Sequence, residues 1–162
     1  RHMFRGSTVL DVVARAGRPV IATGGKAAAP KAAAPYRVLV TTDGSEASRA
    51  AFGPIHELLA GSTAAVTLLR VLEGGAAEGP ARAALQADAA TFAGLALTTE
   101  VRAPAQGESV AQAIQRAVAE TGANAIGMAT HGHSALRHVL AGSAALGVLG
   151  RAEVPVILVR PF

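Results

Sequence analysis

From Tyr36 onward the apolar residues follow two alternating rhythms. Short, nearly continuous apolar runs, rich in β-branched residues and leucine, alternate with longer segments whose apolar positions recur every three or four residues. The runs are 36–42 (YRVLVTT), 64–73 (AAVTLLRVLE), 95–101 (LALTTEV), 123–130 (ANAIGMAT) and 154–160 (VPVILVR), and each predicts a strand. In 95–101 the polar Thr98 and Glu100 alternate with apolar neighbours, which predicts a strand nearer the sheet edge. Segment 43–62 opens with Ser45 as an N-cap, sets Ala51, Phe52, Ile55, Leu58 and Leu59 on one helical stripe, and stops at Gly61. Segment 80–94 predicts a weaker, alanine-rich helix with Leu85, Ala89 and Phe92 on one face. Segment 107–122 places Val110, Ile114 and Val118 at intervals of four and ends at Gly122, and the segment after Gly142 predicts a further helix. Strands too apolar for one wet face, alternating with helices, predict an α/β fold: an open parallel sheet with helices on both faces.

The beginning of the chain repeats its end. Residues 1–23 slide onto 137–159 without a gap, and 11 of the 23 positions are identical. Shared Ala and Val carry little weight in so biased a composition, but the matched Arg-His, Gly-Ser, Arg-Ala and Pro-Val-Ile pairs do. Residues 1–23 therefore read as the last helix and strand of a preceding sister domain. Residues 24–35 (GGKAAAPKAAAP) have linker composition, and residues 36–162 form the main domain. An extended linker of this kind spans roughly 35 Å at about 3.1 Å per residue, enough for the first piece to dock on the second.

Charge and composition narrow the function. Six basic residues against Asp11 give residues 1–35 a charge of +5, whereas residues 36–162 carry nine arginines against ten acids. The basic surplus thus sits outside the main domain, which also has few aromatics for stacking, so no nucleic-acid partner is expected. No run reaches the ~18–20 uncharged apolar residues of a membrane span, so no membrane partner is expected either. The absence of cysteine removes disulfides, thiolate ligands and cysteine nucleophiles. With no secretory pattern at the start, the expected compartment is the cytoplasm.

Ligands on open parallel sheets sit at the carboxyl ends of strands, where strand order reverses. Two loops there carry unusual residues: Thr41, Thr42, Asp43, Gly44 and Ser45 after the first strand, and Ala129, Thr130, His131 and Gly132 after the fourth. Ten residues past Gly132, Gly142-Ser143 opens a helix. Glycine lets backbone N–H groups approach an anion, and a helix N-terminus adds free amides and a favourable dipole. Asp43 suits a ribose hydroxyl or a base amine. Each feature alone also fits a plain turn or cap; the combination describes a nucleotide cradle, without either common phosphate-loop motif. His131 and His133 lack a third ligand in sequence, so no metal is expected, and His131 reads as a brace for the loop.

The segments VLVTTDGSEAS, AVTLLRVLE and GMATHGHSALRHVLAGSAALGVLGRAEVPVILV together resemble the universal stress protein family. Its nucleotide-binding members carry Gly, two residues, Gly, nine residues, then Gly-Ser or Gly-Thr. Gly132, the nine residues that follow it and Gly142-Ser143 match; the first glycine falls on Ala129, and Thr41 stands where proline is usual. The resemblance implies a flavodoxin-like (Rossmann-like) fold of five parallel strands in the order 3-2-1-4-5. It implies a site for ATP, alone or with Mg2+, or a related adenine nucleotide. Adenine would lie against Thr41, Thr42, Asp43 and Val71, and ribose and phosphates along Met128, Ala129, His131, Gly132, Gly142, Ser143 and Ala144. At the first-glycine position, Ala129 would crowd the ligand and would be strained if that position required a positive φ.

Phosphoryl transfer needs a lysine or its equivalent on the phosphates, a metal-binding acid and a positioned base. The main domain has no lysine, and Asp43 is the only acid in either loop. No catalytic residues are expected. The reading is a stress-response protein that binds an adenine nucleotide as sensor or regulator, in a dimer or tandem. The alternatives are a nucleotide-free dimeric interaction module of the same fold and, after it, a weak ATPase. Family dimers often join through their last strands, antiparallel, which predicts that Arg18–Thr23 lies against Val154–Arg160 and forms a homodimer or a pseudo-dimer with a sister domain.

Overall fold

The computed structural model describes residues 5–24, 35–130 and 143–161. In chain order its elements are α1 (Arg5–Ala16), β1 (Val20–Ala22), β2 (Arg37–Thr42), α2 (Glu46–Arg49), α3 (Phe52–Leu59), β3 (Ala65–Val71) and α4 (Glu78–Asp88). A 3-10 turn at Ala89–Phe92 follows α4; then come β4 (Ala96–Arg102), α5 (Val110–Thr121), β5 (Ala125–Ala129), α6 (Ser143–Arg151) and β6 (Val156–Val159).

The strands form one sheet in the order β1-β6-β5-β2-β3-β4. All neighbours among β2 to β6 are parallel. Within residues 36–160 this is the expected order 3-2-1-4-5, with the Thr98–Glu100 strand at one edge. The sheet has a sixth strand beyond the expected five, because β1 adds to the other edge antiparallel to β6, pairing Val20 with Leu158, Ile21 with Ile157 and Ala22 with Val156. The pairing expected of Arg18–Thr23 is therefore formed within one chain.

Alternate residues of the strands feed two cores. Leu39, Leu69, Val71, Ile126, Met128, Val156 and Leu158 pack with α1, α5 and α6. Val38, Val40, Val66, Leu68, Ala125 and Ile157 pack with α3, Leu85 of α4 and Phe92. Both faces of the sheet are dry, as its parallel pairing requires.

The expected single helix over 43–62 is interrupted. Pro54 has no N–H to give the carbonyl four residues back, so α2 ends at Arg49 and α3 restarts with Pro54 in its first turn, where no such bond is needed. Leu58 is 49% exposed and leaves the expected stripe, while Phe52, Ile55 and Leu59 stay buried. In α5 the buried face is Ala111, Ala113, Ile114 and Ala117, with Val110 and Val118 only flanking it. Small residues there let α6 approach closely: a methyl on Gly147 would sit 2.8 Å from Cβ of Ala111.

Candidate functional site

The carboxyl ends of β2, β3 and β5 converge. Val40 stands beside Gly127, so β2 and β5 end together two residues later at Thr42 and Ala129, and Thr42 is in register with Arg70 of β3. Beyond β2 the chain turns tightly into α2 through a chain of hydrogen bonds. The Gly44 N–H donates to Thr42 Oγ1 (2.9 Å), and the Thr42 and Ser48 hydroxyls are 2.7 Å apart. Ser48 Oγ donates to the carbonyl of Ser45 (2.9 Å), which leaves the Thr42 hydroxyl as donor to Ser48. Ser45 caps α2 as expected, its Oγ accepting from Ser48 N–H at 3.1 Å. One Asp43 oxygen accepts from Ser45 N–H (2.8 Å), which fixes the carboxylate at the mouth of the turn.

This network changes the expected role of Thr42. Its hydroxyl is consumed inside the loop, so any contact it offers a ligand comes from the main chain. Thr41 is likewise buried, paired with Leu69. Gly44 holds φ +81, and a methyl there would fall 2.7 to 2.9 Å from the guanidinium atoms of Arg70, which lies over the turn.

Val71 and Met128 both face the α5/α6 side of the sheet and are nearly buried. Ala129 does not share their face. It closes β5 as a strand residue paired with Val159, and its methyl joins the core on the α2/α3 side. The strain expected if this position required a positive φ does not arise: the backbone at Ala129 is that of a strand, and its methyl packs on the face opposite Val71 and Met128. Ser143 opens α6, and Ala144 follows in its first turn, where helix N–H groups have no helical acceptor. His131, Gly132 and Gly142, and with them His133, lie outside the described residues.

Beside these strand ends, on the Val71 and Met128 side, lies a cleft of about 810 Å³. Its walls are the β3–α4 loop (Leu72 to Ala76), the β4–α5 loop (Ala103, Pro104, Glu108, Ser109) and the facing turns of α5 and α6, with Ala144, Gly147 and Arg151. Sequence reading found Ala144 but missed the rest. The one available signal was the pair Gly74-Gly75 after the second main-domain strand; both adopt positive φ, 60° and 76°. Arg151 supplies a cation, its Nη1 donating weakly to the carbonyl of Gly147 (3.4 Å). Glu108 is spoken for. Arg116 grips it with two hydrogen bonds, at 2.9 and 2.8 Å, and Ala105 N–H adds a third at 2.7 Å. The Arg116 bonds and then the Ala105 amide hold its carboxyl at about 2. The cleft thus presents small apolar walls, two carboxylates (Glu73 and the fixed Glu108) and one arginine. Among the described residues no group of three or more His, Asp or Glu side chains could hold a metal ion. No described helix is long and apolar enough to cross a membrane.

A family model described as the universal stress protein family matches residues 36–160. Among solved structures the chain is similar to a universal stress protein in complex with cAMP, at 20% identity and a TM-score of 0.62, covering 78% of this chain and 98% of that one. It is similar to the universal stress protein from Archaeoglobus fulgidus in complex with dAMP, at 20% identity and a TM-score of 0.55, covering 76% of this chain and 96% of that one. It is also similar to UspA from Lactobacillus plantarum, at 24% identity and a TM-score of 0.58, covering 77% of this chain and 97% of that one. No curated protein matches the chain in sequence.

Proposed function

The chain belongs to the universal stress protein family, and we propose that it binds an adenine nucleotide at the carboxyl ends of β2, β3 and β5, as a cytoplasmic stress-response regulator. One observation supports this reading: β2, β3 and β5, which carry Thr42, Val71 and Met128, are neighbours that end on one edge of the sheet, and a cleft of about 810 Å³ is lined by Leu72 just past β3 and by Ala144 at the start of α6. Structures of the same fold have been solved with cAMP and with dAMP, which supports an adenine nucleotide as the occupant.

In this reading the carboxylate of Asp43, held by Ser45 N–H, accepts from the base amine or a ribose hydroxyl. Val71 and Met128 offer apolar contact to the base, and the free amides at the start of α6 meet phosphate. The residues at hand fit a nucleotide better than a dedicated Mg2+ site: Asp43 is the only acid in the β2 turn, and a hard cation needs several oxygen ligands. A magnesium ion would enter on the phosphates of ATP, which we take as the first candidate ligand. We assign no catalytic step. The competing reading, an interaction module without nucleotide, draws on the apolar surface at Val12, Ile21 and Leu146.

The test is to purify the protein without added nucleotide, denature it, and search the supernatant for ATP, ADP, AMP and cAMP by mass spectrometry. Calorimetric titration with each then ranks them. Stoichiometric nucleotide, or micromolar binding weakened at least about tenfold (about 1.4 kcal/mol) in Asp43→Ala, is the expected result. A protein that purifies empty and ignores millimolar ATP, AMP and cAMP overturns the reading in favour of the interaction module.

A further inference from the structure

Three charged side chains line the cleft between α5 and α6: Glu73, Glu108 and Arg151. Two of the three are acids, and Glu108 is already gripped by Arg116 and the Ala105 amide. A phosphate entering this cleft is repelled by both carboxylates and attracted by Arg151 alone among the described lining residues. The arginine therefore governs whether an anionic ligand is tolerated there.

The position of Arg151 is set by a missing side chain. Ala144, Gly147 and Arg151 all line the cleft, at the three- and four-residue spacing that puts them on one face of α6. A methyl on Gly147 would stand 2.8 Å from Cβ of Ala111, so glycine is what lets the two helices touch. It also leaves a notch above its own backbone. Helical side chains lean toward the N-terminus, and the guanidinium of Arg151 lies back along α6 over this notch. Its Nη1 is 3.9 Å from the place of that methyl and 3.4 Å from the carbonyl of Gly147. The charge of a last-turn residue is thereby carried one turn back. Gly147 is three residues past Ala144, about 4.5 Å along the axis at about 1.5 Å per residue.

Arg151 is also available. Its bond to the Gly147 carbonyl is longer than the usual range of about 2.7–3.2 Å, so little is lost when an anion takes its place. Arg151 forms no ion pair among the described residues, whereas Arg102 of β4 and Arg116 of α5 are held by Glu100, Glu108 and Glu120. A cation in the last turn of α6 suits the helix dipole, but that role calls for a charge at the end of the helix, not one folded back over Gly147. We propose that Arg151 is a phosphate-recognising residue of the nucleotide site. Its guanidinium meets the phosphate of an adenine nucleotide whose phosphate end lies at Ala144, and it makes the cleft select phosphorylated ligands over the bare nucleoside. The assignment rests on the nucleotide reading above and adds to it a residue and a selectivity. A guanidinium offers phosphate two parallel N–H donors, which an ammonium does not reproduce.

The test compares adenosine with AMP by calorimetric titration, in the wild-type chain and in Arg151→Gln and Arg151→Lys. The wild-type chain binds AMP more tightly than adenosine. Arg151→Gln lowers the AMP affinity by about ten- to a hundredfold, the range of a charge-assisted pair, and changes the adenosine affinity by less than about twofold. Arg151→Lys recovers only part of the loss. Because Arg151 is exposed, both variants keep their unfolding midpoint within about 2 °C of wild type. A merely structural arginine would leave the ratio of the two affinities unchanged. A wild-type chain that binds AMP, with the same AMP-to-adenosine ratio in Arg151→Gln, overturns the assignment and leaves the nucleotide reading standing. A wild-type chain that ignores millimolar adenosine, AMP and ATP overturns that reading, and this assignment with it.

Discussion

At Gly44 one backbone angle and one guanidinium meet. Its φ of +81 already disfavours any side chain, and Arg70 fills the space a methyl would take. Gly44→Ala should therefore cost about 1–2 kcal/mol from the left-handed conformation alone, read as a lower urea midpoint. It should also weaken nucleotide binding, because the turn that fixes Asp43 is distorted. The sequence made Ser45 and Asp43 legible, since cap and turn residues act through their immediate neighbours. The Thr42 hydroxyl was not legible as a structural brace, because its partner Ser48 reaches it only once the chain has folded back. Ala129 taught the same lesson in reverse. A motif compares residue types, whereas burial depends on which side of a strand the methyl leaves from.

Between elements, the closest contact among the glycines of α6 is Gly147 against Ala111 of α5. Gly147→Val overpacks that seam and should destabilise the fold by about 1–3 kcal/mol, visible in thermal unfolding, and it narrows the cleft the two helices share. At the head of α5, the Glu108–Arg116 pair gives the protein an acid-sensitive joint. The carboxyl of Glu108 is held at about 2, below its ordinary 4.5, chiefly by Arg116. A group whose pKa is lower folded than unfolded stabilises the fold fully above the unfolded value and loses that contribution as pH falls through the folded one. The loss should fall between about pH 4.5 and 2, and Glu108→Gln should flatten that limb of the stability–pH curve. Most elements were legible because strand and helix rhythms differ so clearly here. The break between α2 and α3 was also written in the sequence, at Pro54, but an unbroken apolar stripe outweighed it. The cleft was not legible, because two loops and two helices distant in sequence build it.

For the molecule as a whole, the strand order follows from the alternation of strands and helices together with the family resemblance, and the one added strand follows from the repeat. The repeat predicted which segment pairs with which; it did not predict that burial would differ so sharply between counterparts. That difference exists only in three dimensions, because Val12 and Val148 are the same residue in nearly the same helix. The covered edge of β6 also sets a timetable. Ala22 and its partner Val156 lie 134 positions apart. During synthesis at about 5–20 residues per second, β1 leaves the ribosome roughly 7 to 27 seconds before its partner strand exists. For that interval Leu10 and Val13, buried in the finished fold, lack the α6 and β6 residues that pack with them. The slow partner is therefore β6: slower codons between Ala22 and Val156 should lengthen the interval before the β1–β6 ladder can close.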